Sequence, residues 1–283
     1  MVTIRPTGAA LGADVEGIDL SGLITHEDFA RIHRGWMDHL VLRFRGQSLT
    51  DDDLARFSRM FGALDKAPKH AEQHLENSAA AGTINVISNV VENGKPIGSL
   101  GSGEAVWHTD MSYNDLPPIA SALYSLEVPP SGGDTGFCNM YLAHETLPAE
   151  MQRRIANLTC VHDASTTSAG GLRQGYRKVT DPSETVGAVH PMVRTHPVTG
   201  RKALFLGRRR NAYVPGLDLA ASEMLLDSLW NHASRQDHAW YQQWRVGDLV
   251  LWDNRCTMHR RDEFDPGSRR VMHRTQVSGD RPF

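Results

Sequence analysis

Short β-type segments recur along most of this 283-residue chain, and they restrict its fold more than any other feature of the sequence. Examples are TINVISNV at 83–90, SALYSLEV at 121–128, GDLVLWDN at 247–254 and RVMHRTQVSG at 270–279. Each run is rich in β-branched or aromatic residues and is bounded by residues that favour turns. Helical patterns do not alternate regularly with these runs, which disfavours a parallel doubly wound sheet. The pattern predicts a mainly β fold, a sandwich or a jelly-roll, with flanking helices.

Four helical patterns accompany the strands. They cover residues 25–39, 49–62, 139–158 and 218–236. In the first pattern, Thr25 is placed to cap the N-terminal end of the helix, and apolar residues follow at helical spacing. In the second, three aspartates begin the helix and Gly62 is placed to end it. Because a chain of this length with 40% hydrophobic residues can bury one large core, we predict a single domain over residues 1–283.

Charge and hydropathy argue against several classes of partner. The formal net charge is −3, so the chain lacks the excess of lysine and arginine that binds nucleic acid. No window approaches 18 uncharged apolar residues, and the first residues lack the apolar core of an export signal. The three cysteines are widely spaced and are interpreted as buried free thiols. We expect a cytoplasmic homo-oligomer that acts on a small molecule and binds neither nucleic acid nor membrane.

The segment AVWHTDMSY at 105–113 is the strongest local indication of chemistry. On a strand, residues i and i+2 point to the same face, so His108 and Asp110 would reach one ion while Thr109 points away. The best later candidate for a third ligand is His259, in WDNRCTMHRR. Two histidines and one carboxylate form the facial triad of non-haem iron(II) oxygenases. The HTD triplet alone is weak evidence, because short polar triplets in turns are common and the chain has 14 histidines.

Two arginines strengthen the metal interpretation. Arg270 and Arg274 lie in RRVMHRTQV, a segment otherwise built from apolar and β-forming residues, shortly after His259. A buried arginine is costly unless it meets an anion. An arginine near an iron triad therefore indicates a cosubstrate that carries a carboxylate.

Three further segments are candidates for the wall of a binding pocket. Residues 66–82 and 164–185 lack a clean period and have the length of functional loops. The basic run Arg208–Arg210 is interpreted as a solvated turn, because charge runs are usually exposed, although the surrounding LGRRRNAYVPG is placed to rim a pocket.

The chain as a whole resembles the iron(II)- and 2-oxoglutarate-dependent dioxygenases of the taurine dioxygenase and 2,4-dichlorophenoxyacetate dioxygenase (TauD/TfdA) family. The motifs that carry the resemblance occur in family order: GADVEGIDL, FSRMFG, WHTDMSY, PPSGGDTGFCNMYLAHETLP, HPVTGRKALFLG, GDLVLWDNRCTMHR and RRVMHRT. Together they extend over nearly the whole chain. The resemblance implies a double-stranded β-helix, which is a cupin-like jelly-roll with flanking helices.

The resemblance also implies roles for individual residues around the metal. It identifies His108, Asp110 and His259 as the iron ligands. Thr135, in GGDT, resembles the family's hydroxyl that meets one carboxylate of 2-oxoglutarate. Arg270 resembles the arginine that pairs with the distal carboxylate, and its planar fork suits two charge-assisted hydrogen bonds.

Two positions are implied on the substrate side. Arg274 resembles the arginine that faces the acidic group of the primary substrate. His70, in PKHAEQ, resembles a loop histidine that touches the substrate. The alternative for Arg274 is an ordinary ion pair with a nearby acidic residue such as Glu263 or Asp265.

These expectations combine into one reaction. With iron(II), 2-oxoglutarate and O2, the protein would hydroxylate a small anionic molecule, such as a sulfonate, a phenoxyalkanoate or an alkyl sulfate, and release succinate and CO2. Two alternatives stay open. One is a lyase or isomerase that uses a divalent ion as a Lewis acid, and it would not need residues that hold a diacid. The other is a non-catalytic 2-oxoglutarate sensor, which would keep Arg270 but typically lose a metal ligand.

Overall fold

The computed structural model describes residues 1–67, 80, 82–103 and 105–283, so His70 lies outside the described residues. Within them, the α-helices are α1 (His26–His39), α2 (Asp51–Arg59), α3 (Met140–Glu145), α4 (Ala149–Ile155) and α5 (Leu219–Ala233). The strands are β1 (Thr3–Pro6), β2 (Ala13–Glu16), β3 (Val41–Phe44), β4 (Asn85–Ser88), β5 (Val91–Glu92), β6 (Lys95–Pro96), β7 (Ser99–Leu100), β8 (Ala105–His108), β9 (Ala120–Glu127), β10 (Thr135–Asn139), β11 (Thr159–Val161), β12 (Val189–Pro191), β13 (Val193–Thr195), β14 (Lys202–Leu204), β15 (Ala239–Gln242), β16 (Leu249–Asp253), β17 (Thr257–Arg261) and β18 (Val271–Val277).

Two sheets form the centre of the molecule. One has eight strands in the order β1-β2-β3-β16-β9-β18-β4-β7, and the other has four in the order β15-β10-β17-β8. Buried side chains of both sheets belong to one hydrophobic cluster: Leu123, Trp252 and Met272 come from the large sheet, and Phe137 and Met258 come from the small one. The two sheets therefore share a common core, which agrees with the mainly β jelly-roll that the sequence predicts.

Helices α1 and α2 cover the outer face of the large sheet. Ile32 and Trp36 of α1 and Phe57 of α2 are buried in a second cluster with strand residues such as Phe44. Thr25 accepts a hydrogen bond from the backbone N–H of Asp28, as its position predicts. The second helix begins at Asp51 but ends at Arg59, before the glycine that the sequence indicated as its end.

Two elements differ from the sequence prediction, each for a local reason. The helix expected over 139–158 is split into α3 and α4, because Pro148 between them lacks a backbone N–H group. Strand β17 was not predicted, because its sequence TMHRR mixes polar and apolar residues without alternation. It forms because β10 and β8 pair with it on both sides.

Among the described helices, none is both long enough and apolar enough to cross a bilayer.

Candidate active site

The three predicted metal ligands meet at the end of β8. His108 is the last residue of β8, and His259 lies opposite it on β17 in antiparallel register. Asp110 follows in the turn after the strand. The Nε2 atoms of the two histidines each lie 3.9 Å from Oδ1 of Asp110, and all three side chains are buried. One possible ligand atom from each residue lies within 4.8 Å of the other two, so a single ion can reach all three.

The route by which Asp110 reaches the site differs from the prediction. The strand ends at His108, so the expectation that both side chains leave one face of a strand is wrong. Thr109 instead donates its backbone N–H to the carbonyl of Gly207 at 2.9 Å, and the chain then turns. Met111 takes a left-handed conformation with φ of 46°. The turn, rather than strand alternation, aims the carboxylate at the two imidazoles.

Both imidazoles have the protonation state of metal ligands. Nδ1 of His108 lies 2.7 Å from the carbonyl oxygen of Val106, so it carries the hydrogen and Nε2 keeps its lone pair. Nδ1 of His259 is buried and has no hydrogen-bond partner within the described chain. Burial holds the pKa of His108 well below its usual value and lowers the pKa of His259 to about 4. Both rings are therefore neutral near pH 7, the form in which imidazole binds a metal.

Asp110 is ionised and held by two donors. The Ser121 hydroxyl donates to Oδ2 at 2.8 Å, and Nη1 of Arg274 lies 3.0 Å from Oδ1 and 3.2 Å from Oδ2. Burial alone would raise the pKa of Asp110, but Arg274 and the two histidines hold that pKa below its usual range. Contacts of this kind fix the orientation of a ligating carboxylate.

A cavity of about 450 Å³ opens beside the triad. This volume is in the range of small-molecule sites and accommodates a cosubstrate together with a small substrate. Thr135, Arg270 and Arg274 all line it, as do the three triad residues. The structure therefore places six of the seven residues singled out from the sequence around one space.

Arg270 is a buried cation that faces this cavity. Only 2% of its surface is exposed, and its Nε has no hydrogen-bond partner among the described residues. Burial, followed by the neighbouring charge of Arg261, lowers the pKa of Arg270 to about 9, and Asp134 partly opposes this shift. An arginine in this state is costly unless an anion joins it.

Thr135 begins β10 on the same cavity wall. Its hydroxyl oxygen accepts a hydrogen bond from the indole N–H of Trp244 at 2.9 Å. Because that bond uses an oxygen lone pair, the hydroxyl hydrogen is available to donate into the cavity.

Arg274 contacts the triad itself. It lies on β18 and forms an ion pair with Asp110, so the alternative of an ion pair with an acidic residue holds, although the partner is neither Glu263 nor Asp265. Asp265 instead accepts from the hydroxyl of Ser268 at 3.1 Å.

Arg208 is a cavity residue that sequence reasoning missed. The interpretation of Arg208–Arg210 as a solvated turn is wrong for Arg208, which is 4% exposed and lines the cavity. Gly207 has φ of +67°, and a Cβ there would lie 2.1 Å from Nδ1 of His162, so only glycine allows this turn. The backbone of Arg208 then forms a bridge with His108. The glycine before the basic run was the one signal that could have indicated an inward turn.

The loop over residues 164–185 also reaches the cavity, as its length suggested. The lining includes Thr167, Ser168, Leu172, Arg173 and Gln174. Most of the other long segment, residues 66–82, lies outside the described residues.

Comparison with known proteins indicates the same family as the sequence motifs, over nearly the whole chain. A family model described as "Taurine catabolism dioxygenase TauD, TfdA family" matches residues 3–276. The (S)-phenoxypropionate/alpha-ketoglutarate-dioxygenase of Delftia acidovorans is 35% identical, over 98% of this chain and 94% of that protein. The alpha-ketoglutarate-dependent 2,4-dichlorophenoxyacetate dioxygenase of Cupriavidus pinatubonensis is 34% identical, over 99% of this chain and 98% of that protein.

A solved structure extends the similarity to three dimensions. The crystal structure of AAD-2 in complex with Mn(II) and N-oxalylglycine superposes with a TM-score of 0.81 at 29% identity, and covers 100% of this chain and 99% of that one. Fold, site geometry and relatives agree, and the chain belongs to the TauD/TfdA family of 2-oxoglutarate-dependent dioxygenases.

Proposed function

We propose that the protein is an iron(II)-dependent dioxygenase that hydroxylates a small anionic organic molecule while 2-oxoglutarate is converted to succinate and CO2. One observation carries the proposal: two neutral imidazole nitrogens and one carboxylate oxygen converge beside a cavity that contains a buried arginine whose Nε has no hydrogen-bond partner among the described residues. The donor set fits the facial triad of non-haem iron(II) sites. Iron bound there would supply the activation of O2 that the reaction requires.

The protein would present to the metal three side chains that already have the protonation state and orientation for binding. The hydrogen bond to Val106 fixes the tautomer of His108, so no proton must leave before Nε2 binds. Ser121 and Arg274 hold the carboxylate of Asp110 in one orientation. With three protein ligands, a bound iron would keep further positions for the cosubstrate and oxygen.

Arg270 and Thr135 are proposed to bind 2-oxoglutarate. The guanidinium of Arg270 would make two charge-assisted hydrogen bonds to the distal carboxylate and so relieve its own burial cost. Thr135 would donate its hydroxyl hydrogen to another carboxylate oxygen, with the indole of Trp244 holding the hydroxyl in place. These contacts orient the cosubstrate and keep water away from it.

Arg274 is proposed to face the acidic group of the primary substrate. Its Nη1 holds Asp110, whereas its Nε is buried without a hydrogen-bond partner in the described chain. The names of the two relatives specify phenoxypropionate and 2,4-dichlorophenoxyacetate, both carboxylic acids, and this supports an anionic substrate here. His70 stays a proposed second donor from outside the described residues. The cytoplasmic location, the homo-oligomer and the single domain also stay predictions from the sequence.

The two alternatives have less support. Membership of a dioxygenase family argues against a non-oxidative lyase or isomerase. A complete set of three ligands argues against a non-catalytic sensor.

A screen of small acids tests the proposed function directly. Sulfonates, phenoxyalkanoates, alkyl sulfates and amino acids would each be incubated with enzyme, iron(II), 2-oxoglutarate and O2, and succinate would be measured. We expect at least one anionic candidate to stimulate succinate formation in the parent. Asp110→Ala should abolish this stimulation, because two imidazoles alone hold a metal weakly. Asp115→Ala is the matched control, because that side chain is 68% exposed. Iron-dependent turnover that survives in Asp110→Ala would refute the assignment.

A further inference from the structure

A second pair of arginines surrounds an aromatic ring in the wall of the cavity. The guanidinium carbon of Arg173 lies 3.8 Å from the ring centroid of Tyr113, and that of Arg208 lies 5.8 Å from it. Both guanidinium groups donate to the carbonyl oxygen of Thr166. The pair comes from two separate segments, the 164–185 loop and the turn after Gly207. We call these residues the Arg173–Tyr113–Arg208 cluster.

Neither arginine of the cluster forms an ion pair with a described carboxylate. Asp163, whose charge acts on Arg208, uses both of its oxygens to accept from Ser165, Thr166 and Asn211. Arg208 donates to the backbone carbonyl oxygen of Thr166 and lies over the ring of Tyr113, and its Nε is buried without a hydrogen-bond partner in the part of the chain that the structure describes.

Charge repulsion accompanies this lack of a partner. Burial, and after it the charge of Arg173, lowers the pKa of Arg208. Two neighbouring cations of this kind are stabilised when an anion lies between or beside them.

The net charge of the cavity lining also favours an anionic ligand. Its described lining contains five arginines, at positions 173, 208, 261, 270 and 274, and one carboxylate, that of Asp110. A divalent metal and the 2-oxoglutarate dianion would cancel each other. Five positive charges against one negative charge leave an excess of four, which a substrate with a single negative charge compensates poorly.

The cluster is also separate from the proposed cosubstrate arginine. Arg270 precedes β18, whereas Arg208 lies beside His108 through a backbone bridge and Arg173 is on the long loop. An acidic group bound by the cluster would therefore belong to the primary substrate and would lie close to the metal site.

We propose that Arg173 and Arg208 form a second anion-binding site of the cavity, and that the primary substrate is an organic dianion whose second acidic group binds there. The site deepens the proposed function and rests on it, because Arg274 takes the first acidic group. The ring of Tyr113 holds Arg173 by a cation–π contact and so orders a side chain that is otherwise half exposed.

Binding of two matched acids tests the proposal. The enzyme would be loaded with Mn(II) and N-oxalylglycine, so that the metal and cosubstrate positions are filled. Phenoxyacetate and 4-carboxyphenoxyacetate would then be titrated by calorimetry. We expect the parent to bind the diacid at least about tenfold more tightly than the monoacid, since one more charge-assisted contact contributes about 1.4 kcal/mol or more.

Three variants assign this preference to residues. Arg173→Gln and Arg208→Gln should each reduce the preference for the diacid to about threefold or less. Arg177→Gln, an exposed arginine of the same loop, should leave it unchanged. Because Arg208 is buried whereas Arg173 is partly exposed, Arg173→Gln is the deciding variant if Arg208→Gln folds poorly. Equal affinity of the parent for the two acids, including no binding of either, would overturn the proposal, as would a preference that survives in Arg173→Gln.

Succinate formation by the same proteins, supplied instead with iron(II), 2-oxoglutarate, O2 and each of the two acids, separates this proposal from the proposed function. A preference for the diacid without any oxygen-dependent turnover would support the anion site and contradict the proposed oxygenation. Turnover of acids without that preference would support the proposed oxygenation and contradict the anion site.

Discussion

Among the described residues, two buried clusters have nearly the same composition, and only one of the two lines the cavity. The first cluster is His108, Asp110 and His259, and the second is His196, Asp253 and Cys256. In each, possible ligand atoms of three residues lie within 4.8 Å of one another. Residue type, spacing and burial therefore do not distinguish a metal site from a structural one. The two clusters differ instead in how much of their hydrogen-bonding capacity remains unused.

The second cluster is fully committed to bonds within the protein. Nδ1 of His196 accepts from two backbone N–H groups, each at 3.2 Å, so its Nε2 carries the hydrogen and donates to Asp253 at 3.1 Å. Arg255 donates to both oxygens of that aspartate, at 2.8 and 2.6 Å. Burial, and then the charge of Asp253, raises the pKa of the Cys256 thiol well above its usual value. No imidazole lone pair or thiolate is left for a metal.

The first cluster has the opposite tautomer. His108 donates from Nδ1 to a backbone carbonyl, and its Nε2 lone pair points to the same place as the carboxylate of Asp110. Of the two clusters, one is closed by its own hydrogen bonds, and the other keeps ligand atoms open, as the proposed metal site requires. The position of the hydrogen on one histidine ring is therefore one of the differences between the two clusters.

The largest expected effect is on the closed cluster. Asp253→Ala removes the partner of Arg255, which is 4% exposed, and should lower the free energy of unfolding by about 3–5 kcal/mol. Urea denaturation of the metal-free protein measures the change. Metal binding by the folded fraction should stay at one ion per chain. A loss of stability below about 1 kcal/mol would show that the two clusters are not different in kind.

A smaller effect is expected from a pair of matched arginine substitutions. Arg270→Lys keeps a charge but loses the planar fork, so the apparent Michaelis constant for 2-oxoglutarate should rise about tenfold, or about 1.4 kcal/mol. Arg255→Lys makes the same change in the closed cluster, where both carboxylate oxygens of Asp253 are held. It should lower stability and leave that constant unchanged. Steady-state kinetics and thermal unfolding of both variants measure these two effects. A raised Michaelis constant in Arg255→Lys together with an unchanged one in Arg270→Lys would contradict the assigned roles.

The sequence predicted the open cluster better than the closed one. The HTD triplet indicated His108 and Asp110, and His259 was the best later candidate among 14 histidines before the family resemblance implied the same residue. The sequence predicted that Asp110 reaches the site from a strand, whereas a turn presents it. His196 and Asp253 are 57 positions apart, and no motif links them. Their pairing depends on tertiary packing, which a single sequence does not encode locally.

The strands show the same difference between features that the local sequence indicates and features that depend on tertiary packing. Strands with regular hydrophobic runs, such as β9 and β16, were located from the sequence, whereas β17 depends on its neighbours. The basic run at Arg208–Arg210 was assigned to solvent because three adjacent charges are usually exposed. Burial of Arg208 depends on the left-handed turn at Gly207 and on the backbone bridge to His108, and neither is visible as a charge pattern.

The central claim is that the open cluster alone binds the metal, and anaerobic iron(II) titration of two variants tests it most directly. His259→Gln and His196→Gln each replace one buried imidazole by an amide of similar size. We predict that the parent and folded His196→Gln bind one iron(II) per chain, and that His259→Gln binds it at least about 100-fold more weakly. Parent-like iron binding by His259→Gln, or loss of binding by a folded His196→Gln protein, would contradict the account.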